Sequence, residues 1–178
     1  MNLVFFDLET QHLLDEVGGR RGIEKLRLSC GVTYSTATND FRVYWEKDAP
    51  DLIHELRQAD RVIGFNLIRF DYPVLRPYAP NFNFASLRTL DLLQDIHRTL
   101  GFRLSLDAIA EASLGTTKSA DGLKAVEWFR AGELEKLAEY CKKDVEVTRQ
   151  VYEFGHEHGF VYYRSKLGSK LKVAVNWK

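Results

Sequence analysis

Near its start the chain reads Asn2-Leu3-Val4-Phe5-Phe6-Asp7-Leu8-Glu9-Thr10. Residues 2–8 are apolar and rich in strand formers, which predicts a central β-strand. Side chains alternate across a strand, so Asp7 and Glu9 share one face while Phe6 and Leu8 point to the other. One face of a buried strand thereby turns acidic at its end, where a ligand can approach. Carboxylates beside apolar segments are costly unless they are paired or hold a metal. Taken alone, Asp-x-Glu fits a strand end running into a solvated loop equally well.

Two later segments carry acids in the same kind of setting. Gly64-Phe65-Asn66-Leu67-Ile68-Arg69-Phe70-Asp71 follows a short strand expected over 61–65, and Tyr140-Cys141-Lys142-Lys143-Asp144 lies in a helical pattern. A strand-to-helix junction beside the first strand brings Asp71 near Asp7. The competing reading makes Asp71 a cap on the helix that follows. Tyr140 and Asp144 are four apart in a helix and share a face. Leu137, Ala138, Cys141, Val145 and Thr148 form the buried stripe of that helix, and Asp144 sits at its edge. Tyr140 taken singly reads more simply as a core aromatic whose hydroxyl finds a partner. Hard divalent cations such as Mg²⁺ prefer oxygen ligands of this kind. Two ions bridged by carboxylates can drive phosphodiester hydrolysis.

Working outward, residues 11–25 contain Gly18, Gly19 and Gly22 with Arg20 and Arg21, and read as a long loop of the sort that is often functional. Residues 26–35 and 41–45 read as a second and a third strand, making an antiparallel meander with the first. A helix is expected over 50–59, a short one over 71–78 and a last short strand over 87–90. Beyond that the pattern is helical over 92–100, 105–114, 122–131 and 133–156. Residues 160–177 return to alternation around Leu167-Gly168-Ser169 and read as a hairpin. Strands first, then helices, with a βαβ crossing between, gives an α/β domain with a mixed sheet.

The bulk properties set limits. A chain of 178 residues fits a single domain, here taken as residues 1–178 with a C-terminal hairpin at about 160–178. The formal net charge of zero excludes a protein that holds nucleic acid by overall charge alone. Cys30 and Cys141 make no disulfide framework and read as reduced core thiols. No apolar run approaches a membrane span, and no leader pattern is seen, so a cytoplasmic protein without membrane contact is expected.

The order Asp-x-Glu, Asn-x-x-x-Phe-Asp, Tyr-x-x-x-Asp resembles the DEDD exonuclease superfamily in its tyrosine-containing (DEDDy) branch. Tyr-Cys-x-x-Asp and Asn-x-x-x-Phe-Asp-x-Pro are similar to proofreading domains of family B DNA polymerases. Leu8-Glu9-Thr10-Gln11, Glu16-Val17-Gly18-Gly19, Leu90-Asp91-Leu92-Leu93, Leu106-Asp107-Ala108-Ile109-Ala110 and Lys118-Ser119-Ala120-Asp121-Gly122 resemble ribonuclease-H-like domains of the YprB type, stand-alone or helicase-associated. The resemblance implies a ribonuclease-H-like fold: a mixed five-stranded sheet with its second strand antiparallel, flanked by helices. It implies a 3′–5′ exonuclease on single-stranded or frayed nucleic-acid ends, with a helicase as a partner. It also implies two Mg²⁺ or Mn²⁺ ions held by Asp7, Glu9, Asp71 and Asp144, and a water oriented by Tyr140. A structure-specific endonuclease and a catalytically silent nucleic-acid-binding module on the same fold are the alternatives. The histidine branch needs a His where Glu139 stands, so His12, His54, His97, His156 and His158 read as surface or loop residues.

Nucleic-acid contacts are expected from Asn66 and Phe70 in the second motif, from Arg20 and Arg21, and from Lys118. Asp91 and Asp95, at a helix start, are candidates for supporting the site, and Asp91 reads first as a cap. Lys166, Lys170 and Lys172, with Tyr162, Tyr163 and Trp177, make a basic, aromatic hairpin that fits backbone tracking and base stacking. A sheet edge protected by lysines fits the same pattern.

Overall fold

The computed structural model describes residues 1–116, 122–165 and 167–178. Five strands, β1 (Leu3–Thr10), β2 (Leu28–Ser35), β3 (Asp40–Trp45), β4 (Arg61–Gly64) and β5 (Thr89–Asp91), form one sheet in the order β3-β2-β1-β4-β5. β2 is antiparallel to β1 and to β3, whereas β1, β4 and β5 are mutually parallel. The second strand is thus the one that runs against the rest, as the resemblance implied. β1 occupies the middle and is hydrogen-bonded along both edges.

The alternation in β1 divides the interior in two. Val4, Phe6 and Leu8 enter one core, with Leu52, Ile53 and Leu56 of α1 (Ala49–Gln58) and Val74 and Leu75 of α2 (Asp71–Leu75). Phe5 enters the other, beside α3 (Leu92–Leu100), α4 (Leu106–Leu114), α5 (Gly122–Ala131) and α6 (Leu134–His158). Asp7 and Glu9, in step with Phe5, face α6. Where β4 closes against β1, a Cβ on Gly64 would lie 2.7 Å from the Phe6 carbonyl oxygen and 2.6 Å from Leu67. Glycine is what fits there.

Residues 11–25 are more ordered than a plain loop. They form two short 3-10 turns, Leu14–Val17 and Gly19–Lys25, separated by Gly18 at φ +82°. The Leu13 N–H donates to Glu16 Oε2 at 2.7 Å, which closes the first turn. In the second, Gly22 sits so tightly on Val17 that no side chain fits.

The tail forms the expected hairpin, β6 (Phe160–Arg164) with β7 (Lys170–Ala174). Its inner face puts Val161 and Val173 into the α-side core. Trp177 does not belong with the exposed aromatics. It is 1% exposed and its ring lies parallel to Tyr152, with 6.2 Å between centroids. Its indole N–H donates to Asp95 Oδ2 at 2.8 Å. Gly155 makes the room, since a methyl there would overlap the indole. Two sequence expectations are corrected by this contact: Trp177 is a core residue, and Asp95 serves it rather than the acidic site. Trp177→Ala should lower stability by about 3–5 kcal/mol. Urea unfolding checks this as a lower midpoint at unchanged slope.

Candidate active site

β1 carries Asp7 and Glu9 to the end of the central strand, and α6 packs across β1 and β2 to meet them. Leu137, Cys141 and Val145, spaced by four residues, bury one stripe of α6 against the sheet. That contact leaves Asp144 beside the strand acids. Carboxylate oxygens of Asp7, Glu9 and Asp144 lie within 4.8 Å of one another. The three residues are half-buried.

Asp71 comes from the other side of β1, at the start of α2. The preceding turn is built around Asn66, which has a left-handed backbone at φ +75°. Its carbonyl accepts from the Phe70 N–H at 3.0 Å. Asp91 clasps the turn. Its Oδ1 accepts from the Asn66 N–H at 2.9 Å and the Gln94 N–H at 3.1 Å, and its Oδ2 from the Ile68 N–H at 3.1 Å. Asp91 is therefore both the cap of α3 and a support of the second motif.

Electrostatics report the convergence of all four acids. Burial pushes the Asp7 carboxyl well above the usual carboxylate range, and Asp71, Glu9 and Asp144 push it further. Glu9 is raised by burial, then by Asp144 and Asp71. Asp71, 2% exposed, is pushed up to about 8 by burial, against the pull of its own and the Leu8 backbone N–H, with Asp91 adding to the rise. Asp71 Oδ1 is buried and has no hydrogen-bond partner among the described residues. A water or a cation would complete such an oxygen.

Around the acids, Tyr140 shares a hydrogen bond with Asp144, and its ring meets Trp128 edge-on at 5.7 Å. Burial and the charges of Asp144, Glu9 and Asp7 hold its hydroxyl well above the ordinary phenol value. Cys141, expected as an inert core thiol, lies with Sγ 3.5 Å from the Asp7 carbonyl oxygen and 3.8 Å from Asp7 Oδ2. It is a weak S–H donor onto the central acid. A groove of about 400 Å³ runs from Glu9 past His12, Leu13 and Leu14 to Phe70 and Leu123. Phe70 thus packs partly on the sheet core and partly borders the site. Its loop wall is pinned by Arg130 of α5, which donates to Glu16 Oε2 at 2.6 Å and Oε1 at 2.9 Å. Nothing in the sequence pairs residues so far apart.

The expected nucleic-acid residues are spread more widely. Arg20 and Arg21 are exposed on the second 3-10 turn. Asn66 accepts from Arg103 Nη2 at 2.8 Å. Lys170 lies 4.0 Å over the Tyr162 ring and Lys172 3.9 Å over the Phe160 ring. Phe160 and Tyr162 pack on Phe154 near the end of α6. That end is roughly 20 Å from Asp144, at 1.5 Å per residue. Lys118 and Lys166 lie outside the described residues. Among the described residues no helix is long and apolar enough to cross a membrane.

A family model of the RNase H superfamily matches residues 4–154, and the chain belongs to that superfamily. Its fold is similar to the family B DNA polymerase from the hyperthermophilic archaeon Pyrobaculum calidifontis, with a TM-score of 0.66 and 16% identity. The match covers 87% of this chain and 24% of the polymerase chain. At that identity the likeness is one of fold. No curated protein matches the chain in sequence. The fold and superfamily expected from the motifs are borne out.

The raised carboxyls link stability to pH. A carboxyl whose folded pKa exceeds its unfolded value of about 4 binds its proton more tightly when folded. Its contribution is complete below about pH 4 and, for Asp71, is lost as pH rises through about 8. Metal-free protein should therefore lose stability across that window. Asp71→Asn should flatten the slope and raise Tm at the alkaline end by a few degrees, since about 1 kcal/mol moves Tm by roughly 2–4 °C at this size. Thermal melts in chelator across the pH range check it.

Proposed function

We propose that the chain is a metal-dependent 3′–5′ exonuclease that hydrolyses phosphodiester bonds at single-stranded or frayed nucleic-acid ends. The observation that carries this reading is the convergence of Asp7, Glu9 and Asp144 beside Asp71, whose buried Oδ1 has no partner. Asp7, Glu9, Asp71 and Asp144 would hold two Mg²⁺ or Mn²⁺ ions, whose charge matches that of the four carboxylates. Bound there, such ions lower the pKa of water and stabilise charge on the reacting phosphate. Membership of the RNase H superfamily fits a hydrolase acting on nucleic acid.

The protein's own groups take complementary roles. Asp7, which feels the charge of all three other acids, would be the ligand common to the site. Tyr140 keeps its proton at neutral pH and orients the attacking water through its hydroxyl, not as its base. Phe70, on the groove beside Glu9, and Asn66, on the clasped turn, contact the end of the strand. Arg20 and Arg21 guide it from the loop side. The 3′–5′ direction and the frayed-end preference rest on the DEDDy resemblance. Residues 1–178 act as one exonuclease domain of a cytoplasmic enzyme. A silent binding module has no use for four carboxylates that repel one another.

Digestion of end-labelled linear and circular DNA and RNA with Mg²⁺ or Mn²⁺ tests the reading. Linear molecules should shorten from the 3′ end while circles stay intact; cut circles would make the chain an endonuclease. Asp7→Asn should reduce cleavage by at least about 10²–10³-fold with the fold retained, on the scale of losing one key electrostatic group. Tyr140→Phe should lose less, because metal activation survives. Mn²⁺ should raise the Tm of the wild type more than that of Asp7→Asn. Equal cleavage by Asp7→Asn and wild type would overturn the assignment.

A further inference from the structure

A second cluster lies one contact away from the acids. Asp71 feels the charge of Asp91, Asp91 accepts from the Asn66 N–H, and the Asn66 side chain accepts from Arg103. Around this chain is a small recess lined by Asn66, Arg69, Asp91, Gln94, His97 and Arg103. The carboxylate in it is already taken, since Asp91 accepts three N–H groups and is 5% exposed. Arg103 meets only the neutral amide oxygen of Asn66 among the hydrogen bonds of the described residues. A guanidinium has five donors, so most of those on Arg103 point elsewhere. Arg69 is exposed on the same rim. The recess thus sets two guanidiniums, Arg69 and Arg103, against the one carboxylate of Asp91, whose oxygens are engaged by N–H groups.

The next residue along the rim is aromatic. Phe102 is 47% exposed and presents an open aromatic face beside the recess. The loop is bounded by Gly101, which ends α3 at φ +79°, and by the Ser105 side chain, which caps α4. One edge of Phe102 is backed by Tyr163 of β6, with ring centroids 5.9 Å apart at 63°. Tyr163 leads to Arg164 and, across the hairpin, to Lys170. Alternating cations and open rings are the surface that a single strand recognises through phosphate and base stacking, without reading sequence.

We infer that the strand upstream of the scissile bond leaves the acidic site across a phosphate subsite formed by Arg69, His97 and Arg103, and stacks a base on Phe102. The inference rests on the exonuclease reading and adds the path and polarity of a single-stranded substrate to it. It also replaces the Lys170 and Lys172 face as the first contact beyond the site, because contacts through Asn66 and Asp91 tie Arg103 to Asp71.

Substrate length provides the test. A dodecanucleotide reaches this rim, whereas a dinucleotide occupies the acidic site alone. Cleavage of both with Mn²⁺, and equilibrium binding of the dodecanucleotide in metal-free buffer, would compare wild type with Phe102→Ala, Arg103→Ala and Arg103→Lys. Phe102→Ala and Arg103→Ala should each raise KM and Kd for the dodecanucleotide about tenfold at unchanged kcat, the scale of one stacked base. Dinucleotide cleavage should be unaffected. Arg103→Ala should reduce the salt slope of binding by about 1, and Arg103→Lys should keep it. Equal losses on both substrates, or no loss on the dodecanucleotide, would overturn the subsite. Should the wild type bind the dodecanucleotide yet cleave nothing, the exonuclease reading falls and Kd alone decides the subsite. A wild type that binds neither would remove both.

Discussion

Carboxylates in a low-dielectric pocket repel one another and resist losing water, and four of them meet beside the end of one strand. Each of Asp7, Glu9 and Asp71 is driven towards its protonated form by burial and by its neighbours. A fold optimised for stability alone would not assemble such a cluster. The rest of the structure holds the acids together against that repulsion. Divalent ions would turn the same arrangement from a liability into a site, because the repulsion that raises the carboxyl pKa values would become attraction for a cation.

The holding is done by rigid parts. β1 pairs with β2 from Val4 to Thr10 and with β4 over Leu3–Phe5, and its two-residue period leaves Asp7 and Glu9 no choice of face. α6 spans 25 residues, and its apolar stripe fixes where Asp144 and Tyr140 emerge. Gly64 lets β4 close on β1, and Asp91 clasps the turn that begins α2. Deep support of this kind is what a preorganised site requires, since ligand positions must survive the absence of the ion.

Much of this could be read before any coordinates. Strand alternation gave the shared face of Asp7 and Glu9, and helical spacing gave that of Tyr140 and Asp144. Asp91 looked like a cap and is one, although its second role in clasping residues 66–68 needed the tertiary turn. The five strands with the second antiparallel came from motif resemblance, whereas the order β3-β2-β1-β4-β5 was not read, because a pattern of strands carries no neighbour list. What stayed hidden depended on contacts between distant residues. Trp177 looked like an exposed aromatic until the notch at Gly155 and the acceptor on Asp95 appeared. Arg103 and Asn66, or Arg130 and Glu16, have no local signal that pairs them. Glycines in 11–25 signalled a loop but not the 3-10 turns, which the Glu16 carboxylate and the tight Gly22 contact select.

The central claim is that the four acids form a divalent-cation site. Anomalous diffraction at the manganese edge, from crystals grown with Mn²⁺, tests it most directly. The account predicts two peaks, one bounded by Asp7, Glu9 and Asp144 and the other against Asp7 and Asp71, roughly 3.5–4 Å apart as in two-metal sites. A map without manganese at Asp7, in crystals whose carboxylates are ordered and paired with one another, would contradict it.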